Sequence, residues 1–202
     1  MLTVVGMGPA GRHLMTPAAL ESDRPCRCAG SGKRHLAQFP TFAANDLRWA
    51  RILARCCPGL PPVGINGLWC WPPAIRCFYG IGTHLVAHFG IEQVRIIPGI
   101  SAVQYLCAQA GIDMNDMWLT SKPRSLRQLR SSWRNHRKVA MVTDARCGPR
   151  EIARELVARG KGHRLMVIGE NLAMENERIH WLPVSAVNAD YEMNAVVILD
   201  ER

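Results

Sequence analysis

The apolar residues fall into short runs broken by glycine and proline turns, the pattern of strands alternating with helices. Leu2–Val5 predicts a first strand. Val94, Ile96 and Ile97 form a β-branched run that predicts a buried strand, and Pro98-Gly99 ends it in a turn. Ser101 then stands where a helix N-cap belongs, with Gln104 three residues on, the spacing of a capping box. The helix it opens carries Ala102, Val103, Leu106 and Cys107, and Gly111 can close it in the left-handed conformation. Further on, Lys138–Thr143, Arg164–Ile168 and Asn194–Leu199 predict strands. Arg150–Arg159 predicts an amphipathic helix with Ile152, Leu156 and Val157 inward and Gly160 as its stop. Thr16-Pro17 opens a helix in the first half, and a second is expected over His84–Phe89.

The alternation holds in both halves, so two α/β domains are expected, 1–112 and 113–202, meeting near residues 111–118. Three segments break it: 22–28, 43–77 and 122–134. The second has no period of 2 or 3.6, and prolines recur at 58, 61, 62, 72 and 73. So long a stretch without pattern is foreign to a compact domain, and exposed tryptophans or irregular backbone are expected in 43–77 and 122–134, with Trp49, Trp69 and Trp71 among them. The three segments hold 11 of the 25 Lys and Arg, two of the 16 acidic residues, six of the eight cysteines and four of the six tryptophans. They carry the whole net charge of +9, and the remainder is neutral.

That distribution argues against nucleic acid as a partner, because a nucleic-acid binder gathers its charge on one face or stripe. No apolar run approaches the roughly 18–20 residues of a membrane helix. The N-terminal run is cut by glycine and lacks a basic flank, so a cytoplasmic location with reduced thiols is expected. Cys26-x-Cys28, Cys56-Cys57, Cys70 and Cys77 make no paired ligand hairpins, so no metal site is expected. No G-x-S-x-G elbow occurs, and His35, His84, His88 and His136 read as solvated or helix-surface residues. Asp144 ends a strand and Glu170 follows one, positions that suit either a cleft or a turn. No catalytic residue is named by these patterns.

Gly6-Met7-Gly8-Pro9-Ala10-Gly11 matches G-x-G-x-x-G after a strand. A nicotinamide-dependent oxidoreductase built on Gly6, Gly8 and Gly11 is one reading. It requires an acidic residue about 20 residues on, at the end of a second strand. Asp23 comes too early for that and lies in a broken segment, and Pro9 removes a donor N–H from the loop.

Taken together, VVGMGPAG, FYGIGT, IIPGISAVQ, MVTDARCGP, IGENL and ENERI resemble the tetrapyrrole methylase family, nearest its branch that methylates C5 of a precorrin in cobalamin synthesis. The order and spacing of six motifs carry the resemblance over about three quarters of the chain. It implies the two-domain tetrapyrrole methylase-like α/β fold, S-adenosylmethionine in a cleft between the domains, a homodimer, and a precorrin or cobalt-precorrin substrate. It also implies cooperation with a separate C15-methylating and decarboxylating enzyme, since related fused enzymes carry that second domain. By position it implies cofactor or substrate contacts from Gly8 and Pro9, from Tyr79 and Gly80, and from Pro98, Gly99, Ile100, Ser101 and Ala102. On the second domain it implies contacts from Thr143, Asp144, Gly169, Glu170 and Asn171. Ala74, Ile75 and Arg76 depart from it, standing where the family has the Gly-Asp-Pro of a Gly-Asp-Pro-x-x-Tyr-Gly cofactor loop. Cysteine, tryptophan and arginine are what G+C-rich codons yield out of frame. The broken segments are therefore expected to be out-of-frame stretches that impair the activity of this polypeptide.

Overall fold

The computed structural model describes residues 2–9, 12–21, 28–31, 68–71, 81–120, 136–144 and 146–200. Of the three broken segments only Cys28 and Leu68–Trp71 fall within them, so the expectation of exposed tryptophans at Trp49, Trp69 and Trp71 lies outside the described side chains. The chain divides into two compact units, Met1–Ser101 and Ala102–Arg202.

The first unit holds a four-stranded sheet in which every pairing is parallel. Strand β1 (Leu2–Val5) lies between β3 (Leu68–Trp71) and β4 (Val94–Ile97), with β2 (Cys28–Ser31) beyond β3. Parallel neighbours need crossover connections. Among the described residues, α1 (Pro17–Glu21) and α2 (Ile81–Phe89) lie on those connections. Helix α1 begins as its residues dictate: Pro17 takes the first position, and the Thr16 hydroxyl accepts the Ala19 N–H at 3.3 Å. Val4, Val5, Val94 and Ile97 are buried. Strand β3 falls where the sequence shows no strand period.

The second unit is a five-stranded mixed sheet, ordered β5 (Met117–Thr120), β6 (Lys138–Val142), β9 (Asn194–Leu199), β7 (Leu165–Glu170), β8 (Arg178–Pro183). Only β5 and β6 run parallel; the other three pairings are antiparallel. On one face α3 (Ala102–Ala110) buries Val103, Leu106 and Cys107 with Ala140, Val167, Ala195 and Val197. On the other, α4 (Pro149–Val157) buries Ile152, Ala153 and Leu156 with Val139, Met141, Met166, Ile168, Val196 and Ile198. Alternate residues of β9 serve the two faces, which is why it reads as an unbroken apolar run. The units divide at Ser101 and Ala102, before the expected 112/113, because α3 packs on the second sheet.

Both long-sheet helices end as their glycines predict. Gly111 has φ 64°; its N–H donates to Ala108 O at 3.3 Å and the Ile112 N–H to Cys107 O at 2.9 Å. Gly160, with φ 69°, closes α4 with the same pair of bonds, from Gly160 to Val157 O and from Lys161 to Leu156 O. Val157, expected inward, is 47% exposed, and Ala153 takes the inward place beside Ile152 and Leu156. Strand β8 was not legible, because RIHWLP is a half-buried edge strand without clean alternation.

Arg164 is fully buried at the start of β7. Its Nη2 donates to Arg137 O at 2.6 Å and His136 O at 3.1 Å, and its Nε lies 2.7 Å from Asp200 Oδ1. One guanidinium thus ties the start of β7 to the residues before β6 and after β9. Arg164→Ala is expected to cost about 2–3 kcal/mol in urea unfolding, through unpaired carbonyls and a lost ion pair. Asp200→Asn is expected to cost less, since Asp200 is partly exposed.

Candidate functional site

In the first unit the candidates gather at the carboxyl end of the parallel sheet. Val5 and Ile97 are register partners, and the Gly6 N–H donates to Ile97 O at 3.0 Å. The loops 6–9 and 98–101 therefore leave the sheet side by side. The Thr16 hydroxyl joins them, donating to Pro98 O at 3.4 Å. After β1 the chain goes to β2 on one flank, whereas β4 stands on the other, so the strand order changes direction between these neighbours. The crevice at such a switch point is where open α/β sheets hold ligands.

Gly8 and Pro9 are buried in this loop. Gly8 has φ 71°, and a Cβ there would come within 3.2 Å of the Leu14 Cβ, so backbone and packing both require glycine. Pro98 and Ile100 are exposed, and Gly99, Ser101 and Ala102 are half-buried. Tyr79 and Gly80 lie outside the described residues.

In the second unit the structure brings the remaining candidates around one loop, 190–194. Thr143 and Asp144, just past β6, line a cavity of about 490 Å³ with Arg150, Glu151, Tyr191, Glu192 and Asn194. The Thr143 hydroxyl is 2.6 Å from Asn194 Oδ1, and Asn194 Nδ2 donates to Glu192 O at 2.7 Å. Glu170 and Asn171, at the end of β7, hold this wall from behind. Glu170 Oε1 accepts the Glu192 N–H at 2.7 Å. Asn171 donates its N–H to Met193 O at 2.8 Å and its side-chain amide to the Glu192 carboxylate. Asn171 and Ala173 have positive φ, 49° and 61°, a conformation that surrounding contacts must hold in place. Gly169 serves packing: a Cβ would come within 2.6 Å of Leu172 Cδ2 and 2.7 Å of Leu106 Cδ1, both in the core.

Asp144 also organises its own turn, Oδ1 accepting the Arg146 and Cys147 N–H groups at 3.0 and 2.9 Å. Glu151 accepts the Gly148 N–H at 3.1 Å at the start of α4. Arg150 pairs with Asp190 at 3.1 Å. Four carboxylates, Asp144, Glu151, Asp190 and Glu192, face this cavity against Arg150, so its field favours a cationic group. Arg150, Glu151, Tyr191, Glu192 and Asn194 were not anticipated; the available signal was the polar cluster DYEMN abutting the apolar β9. Burial pushes the Cys107 thiol up to about 11, so at neutral pH it is a protonated core residue and no nucleophile.

The Glu192 backbone N–H, and then His180, whose Nε2 lies 3.3 Å from Oε2, hold the Glu170 carboxyl below its ordinary range. A depressed carboxyl stabilises the fold above its unfolded value, about 4.3, and loses that contribution as pH falls through the folded value. The urea midpoint is therefore expected to fall on acidification below about pH 4–5. Glu170→Gln should shrink that fall; an unchanged pH profile would remove Glu170 from the account.

Residues 77–187 match the family model for tetrapyrrole (corrin/porphyrin) methylases. The chain is 71% identical over 205 residues to the cobalt-precorrin-7 C(5)-methyltransferase of Salmonella typhimurium, covering all of both proteins. It is 26% identical over 212 residues to the precorrin-6Y C(5,15)-methyltransferase of Mycobacterium tuberculosis, there covering 53% of the longer protein. Among solved structures it resembles a precorrin-6Y methylase from Archaeoglobus fulgidus, with a TM-score of 0.72, 19% identity, and 100% and 99% of the two chains covered. It also resembles a uroporphyrin-III C-methyltransferase from Thermus thermophilus, with a TM-score of 0.76, 11% identity, and 98% and 94% covered.

Proposed function

This chain belongs to the tetrapyrrole methylase family, and from that membership we propose that it transfers a methyl group from S-adenosylmethionine to C5 of cobalt-precorrin-7 in cobalamin biosynthesis. The observation that carries this reading is the 71% identity over the full length of a protein of that name. The nicotinamide alternative finds no support among these relatives, and Gly8 is accounted for by its own φ and by Leu14.

The residues fit the cofactor in two respects. The loops 6–9 and 98–101 stand at a switch point, where a ligand meets backbone, and the 143–144 and 190–194 loops line a cavity of negative field suited to an ammonium or sulfonium. Candidate contacts in the first unit are Pro98, Gly99, Ile100 and Ser101; in the second they are Ala102, Thr143 and Asp144. Glu170 and Asn171 would act at one remove, by fixing the backbone of 192–193. When bound, the cofactor supplies a methyl group already activated on sulfur. The protein's part is then to orient the macrocycle carbon in line with that methyl and to exclude water. No serine, cysteine or histidine nucleophile is required, in keeping with a buried Cys107 and Cys147. We place the enzyme in the cytoplasm as a homodimer that hands its product to a separate C15-methylating and decarboxylating enzyme. No described helix is long and apolar enough to cross a membrane.

The test is to incubate the enzyme with S-adenosylmethionine and cobalt-precorrin-7 and follow the product by mass and NMR. One added methyl group at C5 is expected, at a rate lowered by the segments at 22–28, 43–77 and 122–134. Methylation at another carbon, or nicotinamide-dependent reduction without methylation, would contradict the reading.

A further inference from the structure

We infer that residues 22–28, 43–77 and 122–134 are out-of-frame translations of an otherwise continuous methylase gene, and that this polypeptide has thereby lost binding strength for S-adenosylmethionine. The second half of this statement rests on the proposed function; the first does not. Three independent observations carry the first. The family match begins at Cys77, the last residue of the second segment, although the glycine motif that also resembles the family lies far upstream at 6–11; this bears on the first two segments, since the match spans 122–134. At 71% over 205 aligned positions the chain shares about 146 residues with its Salmonella relative, and 147 of its 202 residues lie outside the three segments. The divergence therefore equals the broken segments in size, as it would if it were confined to them.

The third observation is structural. Strand β3 pairs on both sides, with β1 and with β2, in an all-parallel sheet. Interior parallel strands are built from continuous aliphatic and β-branched residues, yet this one reads Leu-Trp-Cys-Trp. Trp69 through Cys77 can be encoded TGG TGY TGG CCN CCN GCN ATH CGN TGY. Read one base earlier, the codons are NTG GTG YTG GCC NCC NGC NAT HCG NTG, which can spell Val-Val-Leu-Ala-Ser-Gly-Asp-Pro-Leu. The Val and Leu codons at positions 70 and 71 and the Ala codon at 72 are forced, and they are what an interior strand demands. The same frame can supply the Gly-Asp-Pro absent at 74–76, running straight into Phe78-Tyr79-Gly80. One base later, Ser22–Ala29 can spell Ala-Ile-Asp-Arg-Ala-Asp-Ala-Leu, apolar residues at helical spacing that extend α1.

The nucleotide sequence of the gene decides the first half. Open alternative frames are expected through all three segments, with Gly-Asp-Pro at 74–76; a stop codon in any of them, or another tripeptide at 74–76, would overturn it. For the second half, the chain as it stands and a chain translated in the restored frame are compared by calorimetry with S-adenosylmethionine. The restored chain is expected to bind at least tenfold more tightly, with comparable secondary structure by circular dichroism. Equal affinity would overturn the claimed loss. A restored chain that folds but binds no S-adenosylmethionine would instead refute the methyltransferase reading and leave the frame assignment standing.

Discussion

The second unit depends on one strand. β9 is inserted between β6 and β7 and pairs antiparallel with both, from Asn194 to Leu199. Every residue from Ala195 to Leu199 is buried, alternately under α3 and under α4. Neither face tolerates a polar residue, and a slip of one place would exchange the two cores. Its far end is clamped by Arg164 through Asp200, and its near end opens directly into the loop that walls the cavity.

The polar network around Glu192 follows from that constraint. Because Asn194 is fixed in the ladder, the residues just before it can be held by groups at the ends of the neighbouring strands: Thr143 past β6, and Glu170 and Asn171 at and past β7. Three sequence candidates thus act on one loop. A backbone N–H satisfied by a carboxylate is a strong, directional contact. It positions Glu192 and Tyr191 although Glu170 and Asn171 do not themselves line the cavity. In the first unit the corresponding constraint is the parallel pairing of β1 with β4, which sets two loops beside each other at the switch point.

Much of this was legible where local and tertiary demands agree. NAVVIL could only be a buried strand, and Gly111 and Gly160 stopped their helices through the left-handed conformation that glycine permits. The domain boundary was misjudged because an apolar helix face does not say which sheet it will cover; Val103, Leu106 and Cys107 chose the second. Val157 lost its inward place to the smaller Ala153, a matter of helix phase that a short window leaves open. Strand β8 lacked alternation, and β3 carried residue types foreign to its place in the sheet. At the site, the candidates at strand ends were readable, whereas Arg150, Glu151 and Tyr191 were not. Their importance comes from a wall that only the fold assembles.

The central proposal is that the loops 143–144 and 190–194 of the second unit contact S-adenosylmethionine. Backbone amide hydrogen exchange of the frame-restored chain, with and without saturating S-adenosylmethionine, tests it most directly. The account predicts slowed exchange at residues 143–144 and 191–194, and little change in β8 or the exposed end of α4. Protection confined to other segments, with these amides unaffected at saturation, would contradict it.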